Sequence, residues 1–212
     1  MSKRPVVATF DGPKSVGKST LIHLLAPLIH TTGLKARVIV EKEVIPASIS
    51  RDLKNLYADL RQHPGRQSDM AIAQALLEAR VWITRTMLSE ISEDIILLDR
   101  WYPSDTVFRR FLDPSEVIKA NLAAGVLTPD VVLAVTCDPK TSWMRAKNRH
   151  RGLDSKVVSS FTDHAESTQR FVTAAKKYAW DIVQTDSKDP EELAGMIAAR
   201  LQSVRLEQST QK

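Results

Sequence analysis

The sequence predicts an α/β domain, a doubly wound parallel five-stranded sheet flanked by helices, and three observations predict it. Short runs rich in Val and Ile alternate with longer segments of helical period, the order that winds helices onto both faces of one sheet. The runs are apolar nearly throughout rather than at every second residue, as strands covered on both faces are. A glycine-bearing turn follows the first run directly and opens the first helical segment.

Taken in order, the strands are VVATF at 6–10, ARVIV at 36–40, DIILLD at 94–99, DVVLAV at 130–135 and DIVQT at 181–185. Helical period covers 18 to about 29, 47 to about 62, 69–92, 115–124, 139–149, 160–179 and 190–204. Pro27 inside the first of these is expected to kink it or end it early, because proline lacks the helical N–H donor. At 212 residues the chain suits one domain, residues 1–204, with 205–212 expected to fray.

Composition narrows the function classes. Hydrophobic content of 43% and charged content of 26% are those of a soluble globular protein. No apolar run approaches the roughly eighteen residues of a membrane span, and the N-terminus MSKRPVVATF lacks the apolar core of a secretory peptide. A single cysteine, Cys137, excludes an internal disulfide and a cysteine metal cage. The expected compartment is a reducing cytoplasm. A net charge of +5 fits a protein that handles anions.

Gly12-Pro13-Lys14-Ser15-Val16-Gly17-Lys18-Ser19 fits G-x-x-x-x-G-K-[ST] between a strand and a helix, the context the motif requires. A glycine at each end lets successive backbone N–H groups turn inward toward phosphate oxygens, and the helix N-terminus adds favourable partial charge. Lys18 reaches the β- and γ-phosphates of a nucleotide in such a loop, and the Ser19 hydroxyl ligates Mg²⁺. The nine residues from Gly12 to Thr20 are therefore the candidate ATP-binding stretch. Asp99 ends an apolar strand, which sets a carboxylate beside the loop to hold the metal, usually through water. No Asn-Lys-x-Asp guanine signature is present, which argues against a GTPase.

LLDRWYPSD at 97–105 resembles the Asp-Arg-Tyr-x-x-Ser segment of thymidylate kinases and related nucleoside and nucleotide kinases. LLEAR at 76–80, TPDVVLAVTCDP at 128–139, RHRGLD at 149–154 and the closing IVQTDSKDPEEL follow in the same order as that family's segments, so the resemblance covers nearly the whole chain. It implies a P-loop NTPase fold of nucleotide-kinase type and an ATP- and Mg²⁺-dependent phosphotransferase. It further implies that Arg100 clamps an acceptor phosphate and that Arg80 points toward the acceptor base. Phe10, Trp101 and Tyr102 would offer apolar or stacking surface, with core packing the alternative for each. A lid at about 145–158 would close over the triphosphate. Ser15 stands where some relatives carry a P-loop arginine, so the catalytic arginine is expected from the lid, as Arg149 or Arg151. By analogy the long helix at 69–92 would serve a homodimer.

Two departures bear on the acceptor. Lys14 stands where thymidylate kinases carry an acidic residue, and VEKEVIPAS at 40–48 replaces their Arg-Glu-Pro-Gly. If the second strand continues, Glu41 and Glu43 share one side, and either would serve as base toward a hydroxyl acceptor, which a phosphate acceptor does not need. Three readings stand open. One is a kinase of a (deoxy)nucleoside monophosphate, including a modified pyrimidine nucleotide. Another is a kinase of a hydroxyl on a nucleoside, a small metabolite or a hydroxymethylated pyrimidine within DNA, whose polyanion would bind with a steep salt dependence. The last is a P-loop ATPase without acceptor chemistry.

Overall fold

The computed structural model describes residues 4–148 and 160–210. Strands β1 (Val6–Asp11), β2 (Ala36–Val40), β3 (Ile95–Asp99), β4 (Val131–Thr136) and β5 (Asp181–Gln184) form one sheet in the order β2-β3-β1-β4-β5. All four neighbouring pairs are parallel.

Helices α1 (Lys18–Thr31), α2 (Glu41–Val44), α3 (Ala47–Gln62), α4 (Arg66–Thr86), α5 (Tyr102–Phe108), α6 (Pro114–Ala123), α7 (Pro139–Asn148), α8 (Phe161–Lys177) and α9 (Pro190–Thr210) connect or follow the strands. Successive side chains of a strand point to opposite faces, and β1 is buried on both. Val6, Ala8 and Phe10 pack with Leu21, Leu25 and Ile29 of α1 and with Ile197 and Leu201 of α9. Val7 joins Ile96, Leu98, Ile83 and Trp101 on the other face. The central strands β1, β3 and β4 are apolar nearly throughout because both faces are covered, as their composition predicted; the edge strands β2 and β5 depart from that expectation, with Arg37, Val38, Asp181 and Ile182 exposed.

Four further expectations are corrected. Pro27 does not end α1, which runs on to Thr31; the proline lies on the exposed face, where the carbonyl deprived of its partner meets water, while Leu25 and Ile29 hold the helix to the sheet. The helix expected at 69–92 is α4, ending at Thr86, followed by a short 3₁₀ turn at Leu88–Glu90. Of the tail expected to fray at 205–212, residues 205–210 are instead the last turns of α9, tied down where Arg205 pairs with Asp94 at 2.8 Å, and 211–212 lie outside the described residues. Two short helices, α2 and α5, occupy stretches in which no helix was expected. Among the described residues, no helix is long and apolar enough to cross a membrane.

Register sets up the site. Phe10 lies level with Asp99, and Asp99 with Val40. The residues that follow, Asp11, Arg100 and Glu41, therefore leave the carboxyl edge of three adjacent strands side by side, where ligands of open α/β sheets bind.

Candidate active site

The loop between β1 and α1 is shaped by its glycines. A Cβ on Gly12 would sit 2.0 Å from the Val135 carbonyl oxygen, because β4 backbone passes directly against the turn. Gly17 caps α1 with φ at 107°, a left-handed conformation that side chains disfavour. Ser15 also takes positive φ, at 63°. Lys18 folds back over this turn, its Nζ donating to the carbonyls of Gly12 at 3.1 Å and Pro13 at 2.6 Å. Burial, then the nearby Arg100 guanidinium, push the Lys18 ammonium well below the ordinary lysine range. Pro13 and Val16 are buried beneath the loop, and Ser19 and Thr20 face outward from the first turn of α1.

At the end of β3, the Asp99 carboxylate accepts a hydrogen bond from Ser19 Oγ at 3.2 Å. Arg100 takes φ at 73°, and its Nη1 donates to Ser104 Oγ at 3.3 Å. Ser104 is in turn held by a residue outside the phosphate-loop motif. Asp11, wholly buried, accepts at Oδ1 from the backbone N–H of Trp101 (3.1 Å), from that of Ser104 (3.0 Å) and from Ser104 Oγ (2.6 Å). It thereby caps the N-terminus of α5 from another strand, since Trp101 supplies no side-chain cap of its own. Burial raises the Asp11 carboxyl above its usual range, and the hydrogen bonds from Ser104 work against that rise. The only local signal was an aspartate at the strand end immediately before Gly12.

Glu41 and Glu43 do not share a side, because the chain turns into α2 at Glu41 instead of continuing β2. Glu41 is buried and Glu43 exposed. Glu41 Oε1 accepts from Arg80 Nε at 2.6 Å, and Arg80 Nη1 donates to Asp105 at 3.1 Å. Burial raises the Glu41 carboxyl, partly countered by Arg80. For Arg80, burial alone would weaken the charge, but the Glu41 and Asp105 carboxylates outweigh it and hold the guanidinium above its ordinary value. Arg80 is thus engaged inside the protein, 1% exposed, by two carboxylates.

These residues open on a cleft of about 540 Å³ lined by Lys14, Ser15, Lys18, Ser19, Glu41, Lys42, Asp99 and Arg100, with Val40 and Ala146. Lys42 is a further residue missed at the level of sequence, its signal being the one cation within VEKEV. The lining carries four cations, Lys14, Lys18, Lys42 and Arg100, against the carboxylates Glu41 and Asp99, and Arg80 already neutralises Glu41. Such a field attracts a polyanion. On the other side of the loop, a pocket of about 170 Å³ is bounded by Gly17, Thr20, Arg145, Thr185 and Pro190, among others. Thr185 Oγ1 closes it against the loop by donating to the Val16 carbonyl at 2.5 Å.

Of the aromatic candidates, Phe10 and Trp101 are core residues at 0% exposure, and Tyr102 is buried with them. None of the three lines the cleft. Phe10 points into the α1 side of the sheet, and Trp101 is anchored by its indole N–H to the Leu127 carbonyl at 2.9 Å. Arg149 and Arg151, the lid candidates, lie outside the described residues. Among the described residues no cluster of three metal-ligating side chains is found; Ser19 and Asp99 are the pair fitted to a hard cation that brings its other ligands as phosphate and water.

Comparison with known proteins agrees with this architecture. The thymidylate kinase family model matches residues 10–197. A thymidylate kinase of a Geobacillus species is 21% identical over 92% of this chain and 96% of its own. One from Lactobacillus delbrueckii subsp. bulgaricus is 26% identical over 95% of each, and one from Bacillus cereus 24% identical over 87% of this chain and 90% of its own.

Proposed function

The chain belongs to the thymidylate kinase family and is a P-loop nucleotide kinase, a phosphotransferase; from that premise we propose that it transfers the γ-phosphate of ATP to a pyrimidine (deoxy)nucleoside monophosphate, modified pyrimidines included. The observation that carries this reading is the cleft in which Lys14, Lys42 and Arg100 accompany the loop lysine. A monophosphate acceptor adds its own negative charge to that of the triphosphate, and these cations suit the sum. ATP would lie with its phosphates along the 12–20 loop, its base toward the pocket bounded by Arg145, Thr185 and Pro190.

Lys18 would exchange its bonds to the Gly12 and Pro13 carbonyls for phosphate oxygens, whose negative charge favours its ammonium form. Arg100, whose backbone is set by the Asp11 cap, would orient the acceptor phosphate with its planar donor fork. Mg²⁺, held by Ser19 and Asp99, would supply charge neutralisation at the transferring group. A lid arginine, Arg149 or Arg151, would complete the charge stabilisation.

One observation favours a second reading. Glu41 is a buried carboxylate in the cleft wall, its Oε1 oriented by Arg80; a carboxylate so placed would act as base toward a hydroxyl acceptor on a nucleoside or a hydroxymethylated pyrimidine. Transfer of labelled γ-phosphate to a panel of nucleosides, nucleoside monophosphates, and plain or hydroxymethylated DNA separates the two. Transfer to monophosphates that survives Glu41→Gln within about tenfold supports the first reading. Transfer confined to hydroxyls and reduced about 10²- to 10⁴-fold by Glu41→Gln replaces it with the second.

A further inference from the structure

Five buried charges of alternating sign run from the cleft wall into the interior. Glu41 meets Arg80 at 2.6 Å and Arg80 meets Asp105 at 3.1 Å. Arg109 pairs with Asp105 at 3.0 Å and with Asp69 at 3.2 Å. The far end is pinned, because Asp69 Oδ2 accepts the Phe111 backbone N–H at 2.8 Å and the Arg109 guanidinium lies over the Tyr57 ring. Only Glu41 reaches the cleft. The side chains of Arg80, Asp105, Arg109 and Asp69 are at most 2% exposed.

Resting on the kinase reading of that cleft, we propose that Asp105, Arg109 and Asp69 are positioning residues of the acceptor wall, acting through Arg80 on the Glu41 carboxylate. Charges this deeply buried lose solvation that their mutual attraction barely recovers, and apolar side chains of similar volume often pack as stably. What the ions add is direction. A guanidinium donates in a rigid plane, so engaging Nε on Glu41 and Nη1 on Asp105 fixes both the plane of Arg80 and the orientation of Glu41. Asp105 also stands between two guanidiniums that would otherwise repel each other in a poorly screened interior. The chain links α2, α4 and α5, so the Glu41 wall of the cleft has one defined arrangement.

The test is Asp69→Asn, which keeps the shape but removes the charge at the end remote from the cleft. Two quantities are read on the full chain: hydrogen exchange of the Arg80 Nε–H by ¹⁵N NMR, and the KM values for ATP and for thymidine 5′-monophosphate in γ-phosphate transfer. The expected result is exchange faster by about tenfold, and an acceptor KM higher by about fivefold with the ATP KM unchanged. Arg109→Lys should do less than Arg109→Met in both measurements, and it carries the test if Asp69→Asn does not fold. Exchange and acceptor KM within twofold of wild type in a folded variant would overturn the proposal. If the wild-type protein transfers nothing to the monophosphate, it is the choice of acceptor that has failed, and the exchange rate alone decides the positioning role.

Discussion

The Ser19 hydroxyl donates to the Asp99 carboxylate at 3.2 Å, joining the first turn of α1 to the end of β3 across 80 residues of chain. This pair is the expected metal seat. Ser19→Ala and Asp99→Asn should each raise the Mg²⁺ concentration for half-maximal transfer by about tenfold, and lower kcat by about 10²-fold. Metal-free nucleotide binding, followed by calorimetry, should change little. An unaltered Mg²⁺ profile in both variants would place the metal elsewhere.

Gly12 is fixed by its neighbours as well as by its loop. A Cβ there would lie 2.0 Å from the Val135 carbonyl oxygen, which is backbone and cannot swing aside. Gly12→Ala should therefore destabilise the protein by more than about 4 kcal/mol, seen as a collapse of the urea midpoint. Gly33 also takes positive φ, at 80°, but nothing lies within 4 Å of the added carbon. Gly33→Ala should cost only about 1–2 kcal/mol.

Asp11 gives a pH signature. Its folded carboxyl is raised above the ordinary 3.8 by burial, against the hydrogen bonds from Ser104, so the folded state holds that proton more tightly than the unfolded chain does. Its contribution to stability is full below about pH 3.8 and falls as pH rises through the folded value. Asp11→Asn, which keeps the accepting Oδ1, should remove that slope when unfolding free energies are compared across pH 3–7. A wild-type slope retained in the variant would exclude Asp11 as its source.

His164 should act in the opposite direction. Its Nε2 lies 2.6 Å from Ser142 Oγ, joining α8 to α7, and burial lowers its basicity below the ordinary 6.5. The stability it contributes is full above pH 6.5 and is lost as pH falls through the folded value, because the unfolded chain takes up the proton first. His164→Gln should flatten the acid side of the stability profile below pH 6.5. Chemical denaturation at half-unit intervals measures this directly.

The elements read correctly from the sequence are those whose signal is local. Strand β2 matches its apolar run residue for residue, and helix α3 its periodic segment. Helix α5 carries no such local signal, because its cap is not in its own sequence: the acceptor for the Ser104 N–H is Asp11, 93 residues earlier. Glu41 and Glu43 share a side only if the second strand continues, and the structure ends it at Val40; the turn into α2 accompanies the burial of Glu41 against Arg80, 39 residues away.

By itself the sequence determined where the strands lie, that the central ones are covered on both faces, and that Gly12 and Gly17 bound a turn leading into the helix that carries Lys18 and Ser19. Apolar period and backbone permissiveness are properties of neighbouring residues, so they can be read along the chain. The tertiary structure alone decided the rest of the site: Asp11 as the cap that sets Arg100, Lys42 in the cleft, and Arg80 engaged between Glu41 and Asp105. The physical reason is that a buried charge is placed by its partner, and the register of three parallel strands brings partners from distant segments to one edge.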